Sequence, residues 1–150
     1  MALSEKRKQE INRRVELTGN FLIDTRLSTR LIAEHFEENK DKYFESSHVS
    51  IADYIKKYVM IHPDKEKLVR EILEENKGSL INNEKVKKRI NDVYLLLEDG
   101  YKFEEIASIL KTTYWVVYYD IHLRLRYLDK NRYQNAKTFI KNNQKNKQSI

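Results

Sequence analysis

Residues 105–121 read Glu105-Ile106-Ala107-Ser108-Ile109-Leu110-Lys111-Thr112-Thr113-Tyr114-Trp115-Val116-Val117-Tyr118-Tyr119-Asp120-Ile121. Two helices crossing after a tight turn need a small residue at the crossing, here Ala107. They also need an apolar residue from the second helix to fill it, here Val117. The ten positions between these residues are the spacing of a helix-turn-helix. Such a motif presents its second helix outward, where it can enter a major groove. The pattern recurs as Leu31-Ile32-Ala33-Glu34-His35-Phe36 followed by Ser47-His48-Val49-Ser50-Ile51-Ala52-Asp53-Tyr54-Ile55. Here Ala33 and Ile51 are eighteen positions apart, so this copy carries eight extra residues in its turn. They fall at about 37–46, are net acidic, and are expected to loop out on the surface at modest entropic cost.

Around these copies, composition favours an all-α protein of two tandem helix-turn-helix units, each of three or four helices. The 150 residues include only three Gly and one Pro, whereas sheets with tight turns use more of both. The absence of Cys excludes disulfides, thiol chemistry and cysteine-ligated metals, and fits a cytoplasmic setting. No apolar run approaches the ~20 residues of a membrane span, and the N-terminus has no secretory h-region. There is no phosphate-binding Gly loop, no His-Glu-x-x-His and no Gly-x-Ser-x-Gly, so no enzyme, cofactor or metal is expected.

The first unit spans 4–77. Ser4 is expected to cap a helix to about residue 24, with Ile11, Val15, Leu17, Phe21 and Leu22 on its apolar side. Helices at about 28–37 and 47–60 follow, and His62-Pro63-Asp64 separates them from a fourth at 65–76. Residues 78–83 form the domain boundary. The second unit spans 84–142, with helices at about 84–99, 103–110, 113–127 and 130–142. Gly100 ends the first of these as a left-handed cap, and Asp129 caps the last. Residues 143–150 read as a disordered basic tail.

Charge is placed unevenly. Acids and bases balance over 1–80, and 81–150 carry the whole net +6. A basic region overlapping a helix-turn-helix is the footprint of a DNA binder. At 100° per residue, Val117, Ile121, Arg124 and Leu128 face inward on the presented helix. Trp115, Tyr119, His122 and Arg126 form the outward stripe, flanked by Tyr118, and Asp120 can pair with Arg124 along the helix edge. In the first copy Ile51, Ile55 and Tyr58 face inward, and Val49, Asp53, Lys56 and Met60 outward. The Asp in that outward stripe repels phosphate, so the second copy is the better reader.

The combined pattern resembles the stage III sporulation protein D family of helix-turn-helix regulators. That family shows Ile-Ala, a phenylalanine, Ser-Lys-x-Thr-Val-x-x-Asp-Leu, Ile-Asn-Pro-Asp and Val-x-x-Ile-Leu-x-x-x-Lys. Here Ile32-Ala33, Phe36, Ser47-x-x-Ser50-Ile51, Ile61-His62-Pro63-Asp64 and Val69-x-x-Ile72-Leu73-x-x-x-Lys77 match over about 13–77. Thr113-x-x-Val116-Val117-x-x-Asp120-Ile121 is similar in the second unit. Tyr54 stands where the family has its Asp. The resemblance implies sequence-specific binding of double-stranded DNA, control of transcription, a sporulation-related role and a nucleoid-associated location. The expected DNA-binding residues are Thr112, Thr113, Tyr114, Trp115, Tyr118, Tyr119, His122, Arg126, Lys141, Lys145 and Lys147. The rival expectation is a protein-interaction module, its aromatic helix face docking a partner such as RNA polymerase.

Overall fold

A computed structural model describes residues 4–77 and 83–146. It is all-α, with no strand among the described residues, and divides into two compact units, 1–77 and 78–150. Residues 78–82 of the expected boundary, and Lys147 with the rest of the C-terminus, lie outside the described residues. No described helix is long and apolar enough to cross a membrane.

In the N-terminal unit, α1 is Glu5–Thr25, α2 Thr29–Glu38 and α3 His48–Ile61. Serines start all three. Ser4, Ser28 and Ser47 each accept a hydrogen bond from the backbone N–H three residues on, satisfying one otherwise orphaned donor. A 3₁₀ turn at Pro63–Lys65 then leads into α4, Glu66–Glu75, with Pro63 in the first turn, where its missing N–H is harmless. The core joins Val15 and Leu22 of α1, Ile32 and Phe36 of α2, Ile51, Ile55 and Tyr58 of α3, and Val69 and Ile72 of α4. Val49, Asp53, Lys56 and Met60 are exposed, as the helical phase requires.

Two details depart from the expected packing. Thr18 and Gly19 line the buried side of α1, while Leu17 and Phe21 are only half-buried. The Tyr58 ring lies so close to Gly19 that any Cβ there would overlap it. The looped-out turn at 37–46 is also corrected. Helix α2 continues to Glu38, and the connection then folds two aromatic rings back onto the unit. Tyr43 stacks on Phe36 with centroids 4.5 Å apart, and Phe44 is buried with its ring 5.1 Å from Phe36. Burying that much apolar surface outweighs leaving the segment in water.

The C-terminal unit begins with α5, Glu84–Glu98, capped by Asn83. Gly100, at φ 102°, ends that helix in a conformation side chains disfavour. Helix α6 is Phe103–Leu110. The turn after it places Lys111 at φ 57° and sends the Thr112 N–H to the Ala107 carbonyl at 2.9 Å. Three unbroken segments follow: Tyr114–Tyr119, a π-helical stretch Asp120–Leu125, and Arg126–Leu128. Together they make α7 (114–128). Helix α8 is Lys130–Asn146. Ala107 and Val117 are both buried, in a core with Val86, Ile90, Val93, Leu97, Ile106, Ile121, Leu125 and Ala136.

The disordered tail expected from residue 143 is corrected, since α8 runs on to Asn146. Asn143 is buried and donates through Nδ2 to the carbonyls of Leu97 and Tyr101, both at 2.9 Å. Leu97 lies in the last turn of α5 and Tyr101 just beyond the Gly100 stop, where carbonyls have no helical partner ahead of them. These two bonds hold the end of α8 in place.

Candidate nucleic-acid interface

The side chains of α7 sort themselves by its underwound middle. A π turn holds more residues than an α turn; here the Arg126 N–H reaches back five residues to the Ile121 carbonyl. The buried pairs Val116-Val117, Asp120-Ile121 and Arg124-Leu125 therefore recur every four residues. The outward stripe changes as a result. Trp115 is 48% exposed and Arg126 is exposed, but His122 turns toward the unit. Its Nδ1 lies 3.0 Å from the Tyr133 hydroxyl, and its ring meets Phe103 and Tyr118. Burial, with Lys137 adding to it, holds the His122 pKa below its usual value. The exposed stripe is thus corrected at His122. Tyr127, 68% exposed, is the large side chain that emerges beyond the π turn.

At the start of α7, the Thr113 hydroxyl accepts from the Val116 N–H at 3.2 Å, so it caps the helix. Thr112 is half-buried in the turn. Tyr114, Trp115, Tyr118 and Tyr119 form a continuous ring cluster, with Trp115 5.1 Å from Tyr114 and 5.5 Å from Tyr118. Tyr114, Tyr118 and Tyr119 are half-buried, leaving Trp115 as the most exposed ring of the four. Burial raises the Tyr114 pKa, with the Glu104 carboxylate adding to it, so its phenol stays protonated and able to donate.

The Asp120–Arg124 pair is not at the helix edge. Asp120 is fully buried and binds Arg89 of α5 twice, at 2.7 and 2.8 Å, as well as Arg124 at 2.9 Å. Sequence spacing on one helix could not have pointed to Arg89, which lies 31 positions away. The cluster locks α7 against α5 and removes the one acid of α7 from the surface.

The exposed cations then form a track. Arg126, Lys130 and Lys137 line an open groove with Tyr133 and Gln134, and none of these carries a negative charge. On α8, Lys130, Lys137, Lys141 and Lys145 recur at helical spacing opposite the buried Ala136 and Asn143, and all four are exposed. None makes an ion pair among the described residues. Lys141 and Lys145 were expected from charge alone. Lys130 and Lys137 join them because α8 is one helix with its buried side fixed by Ala136 and Asn143. No protein-family model matches the chain, and no curated protein or solved structure matches it.

Proposed function

We propose that this chain is a sequence-specific double-stranded DNA-binding protein and transcription regulator of helix-turn-helix type, acting through its C-terminal unit and associated with the nucleoid. Helix α7 enters the major groove with Trp115 and Tyr119 toward base edges, and the turn residues Thr112 and Thr113 approach phosphate. The cations of α8, with Arg126, neutralise the backbone alongside. One observation supports this most: an exposed basic stripe continues from the end of the helix that carries Trp115 along α8, which has no acid of its own among its described residues. A solvated lysine surface would be expected to mix signs, as the N-terminal unit does. The resemblance to sporulation regulators makes control of developmental genes the natural setting.

The test is DNA binding measured against salt, first on random duplex and then on a site recovered by unbiased selection. Affinity should fall steeply with salt. Changing Lys130, Lys137, Lys141 and Lys145 to Gln should lower the log–log slope by up to about 4 units at roughly 0.9 per phosphate contact. Trp115→Ala should cost about 1–3 kcal/mol on the selected site and less on random DNA. No saturable binding at low salt would sink the proposal. The exposure of Trp115, Tyr127 and Ile109 favours a second reading, docking of a protein on this face. That reading expects DNA affinity unchanged in Trp115→Ala and the partner lost.

A further inference from the structure

A cavity of about 430 Å³ opens between the start of α6, the flank of α7 and the end of α8. This falls in the roughly 300–1,000 Å³ range of small-ligand sites. Five of its eleven lining residues carry rings. Tyr114, Tyr118 and His122 follow one another four residues apart on α7, and each meets Phe103 of α6 edge to face, at 5.7, 6.1 and 5.9 Å. Lys102 and Glu104 stand among the lining residues, so one cation and one anion offset each other.

We propose that this cavity binds a small planar aromatic molecule of no net charge, seated against the contiguous rings of Phe103, Tyr114, Tyr118 and His122. Ring walls favour a guest that brings its own quadrupole and can meet them edge to face or offset-stacked. An aliphatic guest of equal size gains only the burial. The balanced charges select against a net charge on the guest. His122 supplies orientation: its Nδ1 is engaged by Tyr133, and its Nε2 has no hydrogen-bond partner among the described residues. With its pKa lowered by burial, the imidazole is neutral at pH 7 and offers that nitrogen as a single donor or acceptor. Occupancy has a built-in reporter, because Tyr114 and Tyr118 both touch Trp115, the chain's single tryptophan.

The full chain is titrated with benzamide, cyclohexanecarboxamide, benzoate and benzylamine, following amide ¹H–¹⁵N shifts and Trp115 emission. Benzamide should saturate, with the largest shifts at Phe103, Tyr114, Tyr118 and His122. It should bind about fivefold or more tightly than cyclohexanecarboxamide, the factor an aromatic pair contributes, and more tightly than either charged analogue. Gln144→Tyr, which places a ring at the exposed rim, should abolish binding while leaving the thermal melt unchanged. The proposal is overturned by absence of saturation, by equal binding of the aliphatic amide, or by preference for a charged analogue. Shifts centred elsewhere overturn it too, and that map on the unaltered chain decides the matter should Gln144→Tyr fold poorly. Each outcome is independent of whether the chain binds DNA.

Discussion

Replacing Asp120 with Asn should destabilise the C-terminal unit by about 3 kcal/mol. Asp120 is fully buried and accepts three charged hydrogen bonds from Arg89 and Arg124 at 2.7–2.9 Å. Asn has nearly the same shape, but it lacks the charge and presents one acceptor oxygen where the carboxylate has two. Two guanidiniums would then lose the carboxylate that now lies against both. Removing one member of a buried ion cluster costs about 3–5 kcal/mol. The Arg89 side chain keeps 18% of its surface in water, which relieves part of that, so about 3 kcal/mol is expected. At roughly 0.05–0.15 kcal/mol per residue, a unit of this size has about 4–11 kcal/mol in all. Urea unfolding of the full chain followed by Trp115 emission isolates this unit, since the single tryptophan lies in it. A loss under about 1 kcal/mol would refute the reasoning. The triple change Arg89→Met, Asp120→Leu, Arg124→Leu removes all three charges together and should lie within about 1 kcal/mol of the parent.

Other perturbations have equally definite outcomes. Gly19→Ala should destabilise the N-terminal unit by about 1–3 kcal/mol despite the better helix propensity of Ala, because the added Cβ meets the Tyr58 ring. Adding Tyr58→Leu should recover part of the loss in chemical denaturation followed by circular dichroism. Asn143→Ala should cost the C-terminal unit about 1–3 kcal/mol by removing both of its buried hydrogen bonds; an unchanged Trp115 unfolding midpoint would contradict this. The folded pKa of His122 lies below its unfolded value near 6.5, so the unfolded chain takes up its proton first as pH falls. Its contribution to stability is therefore complete above about pH 6.5 and declines below that, toward the folded pKa. His122→Gln should flatten that part of the pH–stability profile.

What could be read from the chain alone depended on how local the cause was. The helix starts at Ser4, Ser28 and Ser47, the stop at Gly100 and the crossing pair Ala107–Val117 all follow from short-range rules, and the structure has them where those rules put them. The face of α3 was equally legible, because that helix keeps a regular period. The face of α7 was not, since a fixed 100° step fails once Asp120–Leu125 unwinds. The apolar and charged pairs repeating every four residues were a visible hint of it. Arg89, the role of Gly19 and the anchoring of Asn143 each depend on a partner more than thirty positions away. Among the expected interface residues, Trp115, Arg126, Lys141 and Lys145 are exposed. Thr113 serves as a cap, and Tyr114, Tyr118 and His122 wall a cavity instead.

Connections between helices are ordinarily where sequences drift, where proteases cut and where inserted tags are tolerated. The 39–47 connection reverses that expectation, because Tyr43 and Phe44 within it close over Phe36. A nick there should resist limited digestion as long as the unit stays folded. A tag spliced between these two rings should behave like a core lesion, and trimming the segment to an ordinary short turn would leave a hole instead of a tidier protein. For an engineer, the longest connection in the N-terminal unit is the one to leave alone.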